Sequence, residues 1–287
     1  MNVKIASGKT KEKVFKAIFL VAAAFSILAV LLICLFLFIN GIPAMKKIGI
    51  FDFLTGLKWK PGSDLYGIFP MIVGSLYVTV GAIIFGAPIG LMTAIFLARF
   101  CPQKLYKVLK PAIELLAGIP SVVYGFFGLM VIVPFVRNVF GGNGSCIFTA
   151  SVLLGMMILP TIVTVSESSL RAVPESYYDG ARALGATHER AVFCATLPAA
   201  KSGILAGIIL GVGRAIGETM AVIMVAGNQA RIPNSIIKGV RTLTANIVLE
   251  MGYATGLHRE ALIATGVVLF VFILLINMTF NMIKKRV

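Results

Sequence analysis

The run Gly213-Arg214-Ala215-Ile216-Gly217-Glu218-Thr219 sets a guanidinium and a carboxylate four residues apart inside an otherwise apolar stretch from Ser202 to Ala226. At about 100° per residue, with Gly203 as zero, Gly207 falls at about 40°, Gly211 at about 80°, Arg214 at about 20° and Glu218 at about 60°. On a continuous helix the two charges therefore share a face with the small residues, along which helices approach most closely. A charge at mid-bilayer costs about 2.5 kcal/mol or more, so such residues line a path, bind a ligand or neutralise each other. Two chemistries stay open: a structural ion pair pinning two helices, or a polar path in which the planar donor fork of Arg214 receives an oxyanion. Arg214, Glu218 and Thr219 are the candidate path residues. No catalytic residue and no metal ligand set is expected, because His188 and His258 lie in separate polar segments and no catalytic dyad is spaced for chemistry.

The elements that position this pair must sit in lipid. Of 287 residues, 59% are hydrophobic and only 13% charged, and the mean hydropathy is +0.97. That is more apolar surface than the polar groups can cover. The net charge of +15 is scattered over short loops rather than gathered with aromatics on one face, which argues for membrane topology and against nucleic acid. Cys34, Cys101, Cys146 and Cys194 lack metal or redox spacing, and the topology leaves only Cys146 outside, so no structural disulfide is expected.

The sequence predicts six transmembrane helices. The first is the 23-residue apolar run Ala17 to Ile39 behind Lys4, Lys9, Lys11, Lys13 and Lys16, longer than a signal-peptide core and so retained. The others are Pro70 to Ala98, Ala112 to Val136, Cys146 to Leu170, Ser202 to Ala226 and Glu260 to Ile283. Asn40 to Phe69 reads as an outside loop with room for a short interfacial helix, its Trp59 and Tyr66 at headgroup level. Sixteen Lys and Arg fall on the inside and nine outside, with Arg214 left in the membrane. This bias puts both termini in the cytoplasm. Ser166, Glu167, Ser168 and Ser169 read as the solvated inner end of the fourth span. The chain divides into 1–69, the N-terminal helix and outside loop, and 70–287, a five-helix core with an inside loop at 171–201.

That inside loop, from Val173 to Pro198, is the most polar long segment between apolar ones. Pro174 followed by Glu175 predicts a helix start with an acid in the first turn, and Gly185 is placed as its C-cap. A second helical stretch begins at Thr187 or His188 and stops at Pro198. The physics alone leaves open whether this is a bare amphipathic surface helix or a docking element.

The segment resembles the cytoplasmic coupling loop of binding-protein-dependent ABC importer permeases. Asp179-Gly180-Ala181 is followed after three residues by Gly185, and after nine more by Ala195-Thr196-Leu197-Pro198. The spacing fits that family's Glu-Ala-Ala, Gly, Ile-x-Leu-Pro pattern, with Asp for Glu, Gly180 for the first Ala and Ala195 for Ile. Further stretches resemble the phosphate-importer branch, PstC-type subunits above all: Lys58 to Pro61, Tyr66 to Ile68 with Pro70, Ala117 to Gly125, Gly213 to Ala221, and Thr242 to Ile247 with Glu250-Met251-Gly252.

The resemblance implies an all-α, polytopic type I ABC importer permease with a cytoplasmic coupling helix, in the bacterial inner membrane. It would carry inorganic phosphate inward with a second homologous permease as heterodimer, two ATPase subunits and an extracytoplasmic phosphate-binding protein. It further implies that Arg214 and Glu218 lie on the phosphate path. Glu175, Asp179, Gly180, Ala181, Gly185, Leu197 and Pro198 would dock on the ATPase. The chain itself would bind no cofactor, since ATP and Mg belong to the partner. A proton-coupled anion transporter or channel relaying through Arg214 and Glu218 is the alternative reading, and a non-transporting scaffold or sensor the third.

Overall fold

The computed structural model describes the backbone of residues 3–286 and the side chains of residues 12–279 and 282. Lys4, Lys9, Lys11, Lys284, Lys285 and Arg286, which weigh in the inside charge count, have side chains outside the described residues. The chain opens with α1 (Val3–Ile48), whose apolar side chains from Val14 to Phe36 are mostly exposed on every side, Phe19 at 69% and Phe25 at 72% among them. Water cannot host such a helix, whereas hydrocarbon can. It leans on α14 (Gly256–Arg286) through an edge-to-face pair of Phe38 and Phe270, ring centroids 6.0 Å apart. A short helix α2 (Ile50–Thr55) and a two-stranded hairpin follow, β1 (Trp59–Lys60) and β2 (Leu65–Tyr66) in antiparallel register Trp59↔Tyr66.

The centre of the bundle is α7 (Ile147–Arg171), with α3 (Phe69–Ile95) on one side and α11 (Lys201–Gly217) on the other. Both contacts are made by glycine against small or branched side chains. A Cβ on Gly81 would meet Ser151 Oγ at 2.2 Å, and one on Gly90 would meet Ile162 Cγ2 at 2.9 Å. The order of these contacts makes α3 and α7 parallel. On the other face Gly203 meets Ser169 and Gly211 meets Ile162, so α11 runs antiparallel. Without a hydrophobic force between helices in lipid, such close backbone approach supplies the packing energy.

The third span starts later than the sequence predicts. Gln103–Gly118 (α4) is a separate amphipathic helix, its half-buried side formed by Tyr106, Leu109, Lys110 and Ile113. Ile119 and Pro120 are extended, with ψ 126° and 141°, because a residue before proline is pushed out of the helical region. The crossing then runs Ser121–Phe140, made of α5 (Ser121–Phe127), a π turn over Gly128–Ile132 and α6 (Val133–Phe140). The mostly apolar residues 112 to 118, broken only by Glu114, continue the pattern across this boundary and so hide it in the sequence.

After α7 come α8 (Glu175–Ala183), α9 (His188–Ala191), a π turn over Val192–Thr196 and α10 (Leu197–Ala199). The helical stretch ends at Ala199, within one residue of the expected stop at Pro198, and the chain turns 69° between Ala199 and Lys201 into α11. Beyond α11 lie α12 (Met220–Val225), an irregular loop and α13 (Leu243–Met251), before α14 closes the chain. Among the described residues five helices are long and apolar enough to cross a membrane, and a sixth crossing follows if the bent pair through α11 counts as one span.

Candidate functional site

Arg214 and Glu218 do not share a helix. The helix α11 ends at Gly217, and Glu218 is extended at φ −69° and ψ 132°. Its N–H reaches back only to the Ala215 carbonyl, at 3.4 Å, and its carboxylate turns forward to accept the Ala221 N–H at 3.1 Å, capping the start of α12. The Thr219 hydroxyl donates to the Gly217 carbonyl at 3.2 Å. The span is therefore interrupted exactly where the sequence pattern is read as one continuous face. Irregular backbone at membrane depth is tolerated only where protein buries it or where it lines a water-filled space.

Two further features mark this break. Arg214 is half-buried, and among the described residues it forms no ion pair. Arg214 and Glu218 are therefore not paired with each other among the described residues. Second, a Cβ added at Gly213 or Gly217 would meet nothing within 4 Å, whereas one at Gly203 or Gly211 would strike α7. One side of α11 is packing surface, and the side at the break is open. The phenol of Tyr124 donates to the Leu116 carbonyl at 2.9 Å across the Ile119-Pro120 break, and Gly125 next to it packs against Ala221 of α12.

From the hairpin end of the bundle, α13 closes on the same break. The Thr244 hydroxyl donates to the Glu218 carbonyl at 3.1 Å, and the Leu243 N–H to Ser75 Oγ at 3.0 Å. The helix α13 is held in turn through Glu250. Its carboxylate accepts from Trp59 Nε1 at 2.8 Å, His258 Nε2 at 2.8 Å and Arg241 Nη1 at 2.6 Å. Burial pushes the Glu250 carboxyl up, but these three donors and the Arg241 charge outweigh it and hold the group below its ordinary range. Trp59 and Tyr66, read from sequence as headgroup-level aromatics, are instead buried at 7% and 4% exposure around this carboxylate.

At the opposite end, the expected docking residues sit as a set. The helix α8 is capped by a Schellman motif: Ala186 N–H bonds the Ala181 carbonyl at 3.1 Å and Gly185 N–H bonds the Arg182 carbonyl at 3.0 Å. Gly185 takes φ +88°, which glycine alone adopts freely. Glu175 pairs with Arg99 at 2.8 Å. Asp179, Gly180, Gly185 and Pro198 are exposed, while Ala181 and Leu197 are half-buried. Beside them Leu184 is 91% exposed and Tyr177 55%.

Glu167 departs from expectation most. The inner end of α7 is only partly solvated: Ser168 is exposed and Ser169 half-buried, but Ser166 is fully buried and Glu167 is 2% exposed. Tyr106 Oη, Lys110 Nζ and Arg171 Nε each donate to its carboxylate at 2.8 Å. Only the (i, i+4) spacing of Glu167 and Arg171 was visible in the sequence, since Tyr106 and Lys110 come from a distant helix.

Comparison with known proteins agrees with this geometry. The profile of the family described as binding-protein-dependent transport system inner membrane component matches residues 86–287. A probable ABC transporter permease protein, YqgH of Bacillus subtilis, is 40% identical over 266 residues, covering 89% of this chain and 86% of that protein. The phosphate transport system permease protein PstC of Mesorhizobium japonicum is 34% identical, covering 84% and 80%. That of Pasteurella multocida is 35% identical, covering 77% and 75%. Among solved structures, the bacterial alginate ABC transporter, in complex with a periplasmic protein bound to an alginate pentasaccharide, superposes with a TM-score of 0.65 at 16% identity, covering 96% of each chain. The MetNI methionine ABC transporter gives 0.63 at 22% identity, covering 80% of this chain and 99% of that one. The all-α bundle is thus that of type I ABC importer permeases.

Proposed function

The chain belongs to the family of binding-protein-dependent transport system inner membrane components, and on that premise we propose that it is the permease subunit of an ATP-driven importer that moves inorganic phosphate into the cytoplasm. The observation that carries the reading is Arg214, a half-buried guanidinium without an ion partner among the described residues, set beside an interrupted span whose glycines Gly213 and Gly217 face open space. A lone guanidinium at that depth is costly unless a surrounding subunit and a passing anion offset it. Its planar donor fork matches a phosphate oxyanion, and relatives named as phosphate permeases support that choice.

Arg214 offsets phosphate charge in transit. Glu218 and Thr219 border the same step; one carboxylate oxygen of Glu218 is committed to the Ala221 N–H, which keeps the acid close enough to weaken an over-tight Arg-phosphate complex. The apolar surface around the break faces a second permease, homologous but distinct, and the exposed α8 with Leu184 docks an ATPase on the cytoplasmic side, where both termini lie. Two such ATPases supply ATP and Mg chemistry, and an extracytoplasmic phosphate-binding protein delivers the substrate.

The test is co-purification from native membranes followed by reconstitution. Recovery of a second permease and an ATPase, with phosphate uptake that requires ATP and the binding protein, supports the reading. Phosphate uptake by this chain alone, driven by an ion gradient without ATP, overturns it in favour of a secondary transporter.

A further inference from the structure

Glu167, like Glu250, is a buried carboxylate with three side-chain donors. Glu167, at the α8 end of α7, is 2% exposed and accepts from Tyr106 and Lys110 of α4 and from Arg171 one turn on. Arg171 places its guanidinium 4.6 Å from the Tyr106 ring centroid and donates to the Leu97 carbonyl, in the π turn that ends α3, at 2.8 Å. In that same turn Arg99 donates back to the Leu170 carbonyl at 3.2 Å and pairs with Glu175, the first residue of α8. Four elements, α3, α4, α7 and α8, thus meet in one charge-balanced cluster: Glu167, Glu114 and Glu175 against Lys110, Arg171 and Arg99.

The cluster connects to the break that follows Arg214. The helix α4 leads into the Ile119-Pro120 break, and just beyond it Tyr124 bonds back to Leu116 of α4 while the neighbouring Gly125 packs against Ala221 of α12, whose N–H bonds the Glu218 carboxylate. Whatever fixes α4 against α7 fixes Tyr124 and Gly125 against that break. Hydrogen-bonded ion pairs in a desolvated site resist distortion, because losing one partner strands the other.

We propose that Glu167 is a positioning residue that locks α3, α4, α7 and α8 into one rigid unit, so that displacement of α8 reaches Tyr124 and the break that follows Arg214 undiminished. The inference rests on the transport reading for its purpose, since the displacement in question is that imposed by an ATPase on α8. It goes beyond that reading in naming the joint. Without the joint, α8 moves while α4 stays behind, and ATP is hydrolysed without delivery.

The experiment compares wild type, Glu167→Gln, Glu167→Asp and Tyr106→Phe in the full reconstituted complex, at equal amounts of assembled protein. Phosphate moved per ATP hydrolysed should fall about 2- to 30-fold in Glu167→Gln, the range that coupling mutations span, with partial rescue in Glu167→Asp. Tyr106→Phe keeps every charge, so it is the variant that decides if Glu167→Gln does not assemble. A wild-type ratio in Tyr106→Phe, together with either a wild-type ratio or failed assembly in Glu167→Gln, overturns the proposal and leaves Glu167 a structural support.

A second readout does not depend on the substrate. Spin labels at positions 115 and 176, on exposed faces of α4 and α8, are placed in a chain whose four cysteines are replaced by alanine. The distance between them should stay unchanged between nucleotide-free and ATP-bound complex in wild type, and should shift with nucleotide in Tyr106→Phe. An equal shift, or none, in both overturns the proposal. If the wild-type complex moves no phosphate, the transport reading fails while this distance still decides the role of Glu167.

Discussion

The Thr244 hydroxyl donates to the Glu218 carbonyl at 3.1 Å, joining α13 to the break that follows Arg214. The carbonyl of an unwound residue at membrane depth has no helical partner, and Thr244 supplies it. Thr244→Val keeps shape and removes the donor. It should cost about 0.5–1.5 kcal/mol of stability, read as a small drop in the unfolding midpoint, and reduce phosphate uptake while leaving subunit assembly intact.

The glycines of α11 divide by what surrounds them. A Cβ at Gly203 collides with Ser169 Oγ at 2.2 Å, whereas one at Gly213 or Gly217 enters open space. Gly203→Ala should destabilise the chain by about 1–3 kcal/mol through overpacking. Gly213→Ala should be neutral or stabilising by up to about 1 kcal/mol, as alanine replaces glycine within a helix. Bulkier Gly217→Leu should assemble normally yet block uptake, by filling the space beside Arg214. Thermal unfolding and uptake, measured on the same preparations, separate these outcomes.

Glu250 predicts an acid limit. Its carboxyl titrates below the ordinary glutamate range in the fold, so the unfolded chain binds the proton more readily. The stability it contributes is complete above the ordinary glutamate range and is lost as pH falls through the lower folded value. Glu250→Gln removes that dependence. It also strands Arg241 beside Asn246, at a cost of about 3 kcal/mol, and should loosen α13 and the Trp59 hairpin together. Unfolding followed against pH for wild type and variant checks both the sign and the loss.

The sequence legibly marked the apolar crossings, and the second, fourth and sixth fall close to where their patterns place them. The α8 loop was equally legible, because Pro174, Glu175 and Gly185 are local signals and the structure uses them locally. What was not legible depends on distance in sequence. The break at Glu218 carries no proline, and its driving contacts come from Ala221 forward and Thr244 across the fold. Glu167 reads as a surface acid until Tyr106 and Lys110 are brought to it. Trp59 reads as an interfacial aromatic until Glu250 accepts its indole N–H.

The α8 surface yields a binding prediction. Leu184, at 91% exposure, contributes nothing to the fold of this chain, so Leu184→Asp should leave unfolding unchanged. It should nevertheless abolish ATPase recovery in pull-downs, since a charge placed in a docking contact must be desolvated without a partner. Gly185→Val should reduce recovery by the other route, because φ +88° strains a β-branched residue and undoes the cap. Unchanged recovery in both variants would remove α8 as the docking element.

The central claim is that phosphate passes Arg214, and the most direct measurement is uptake of radiolabelled phosphate by proteoliposomes containing the full complex with Arg214→Gln or Arg214→Lys. Glutamine retains length and hydrogen bonding without charge, and lysine retains charge without the fork. The account predicts near-complete loss of uptake in Arg214→Gln and intermediate uptake in Arg214→Lys, both in complexes that assemble and bind ATP as wild type does. Wild-type uptake and wild-type substrate-stimulated ATPase in Arg214→Gln would contradict it.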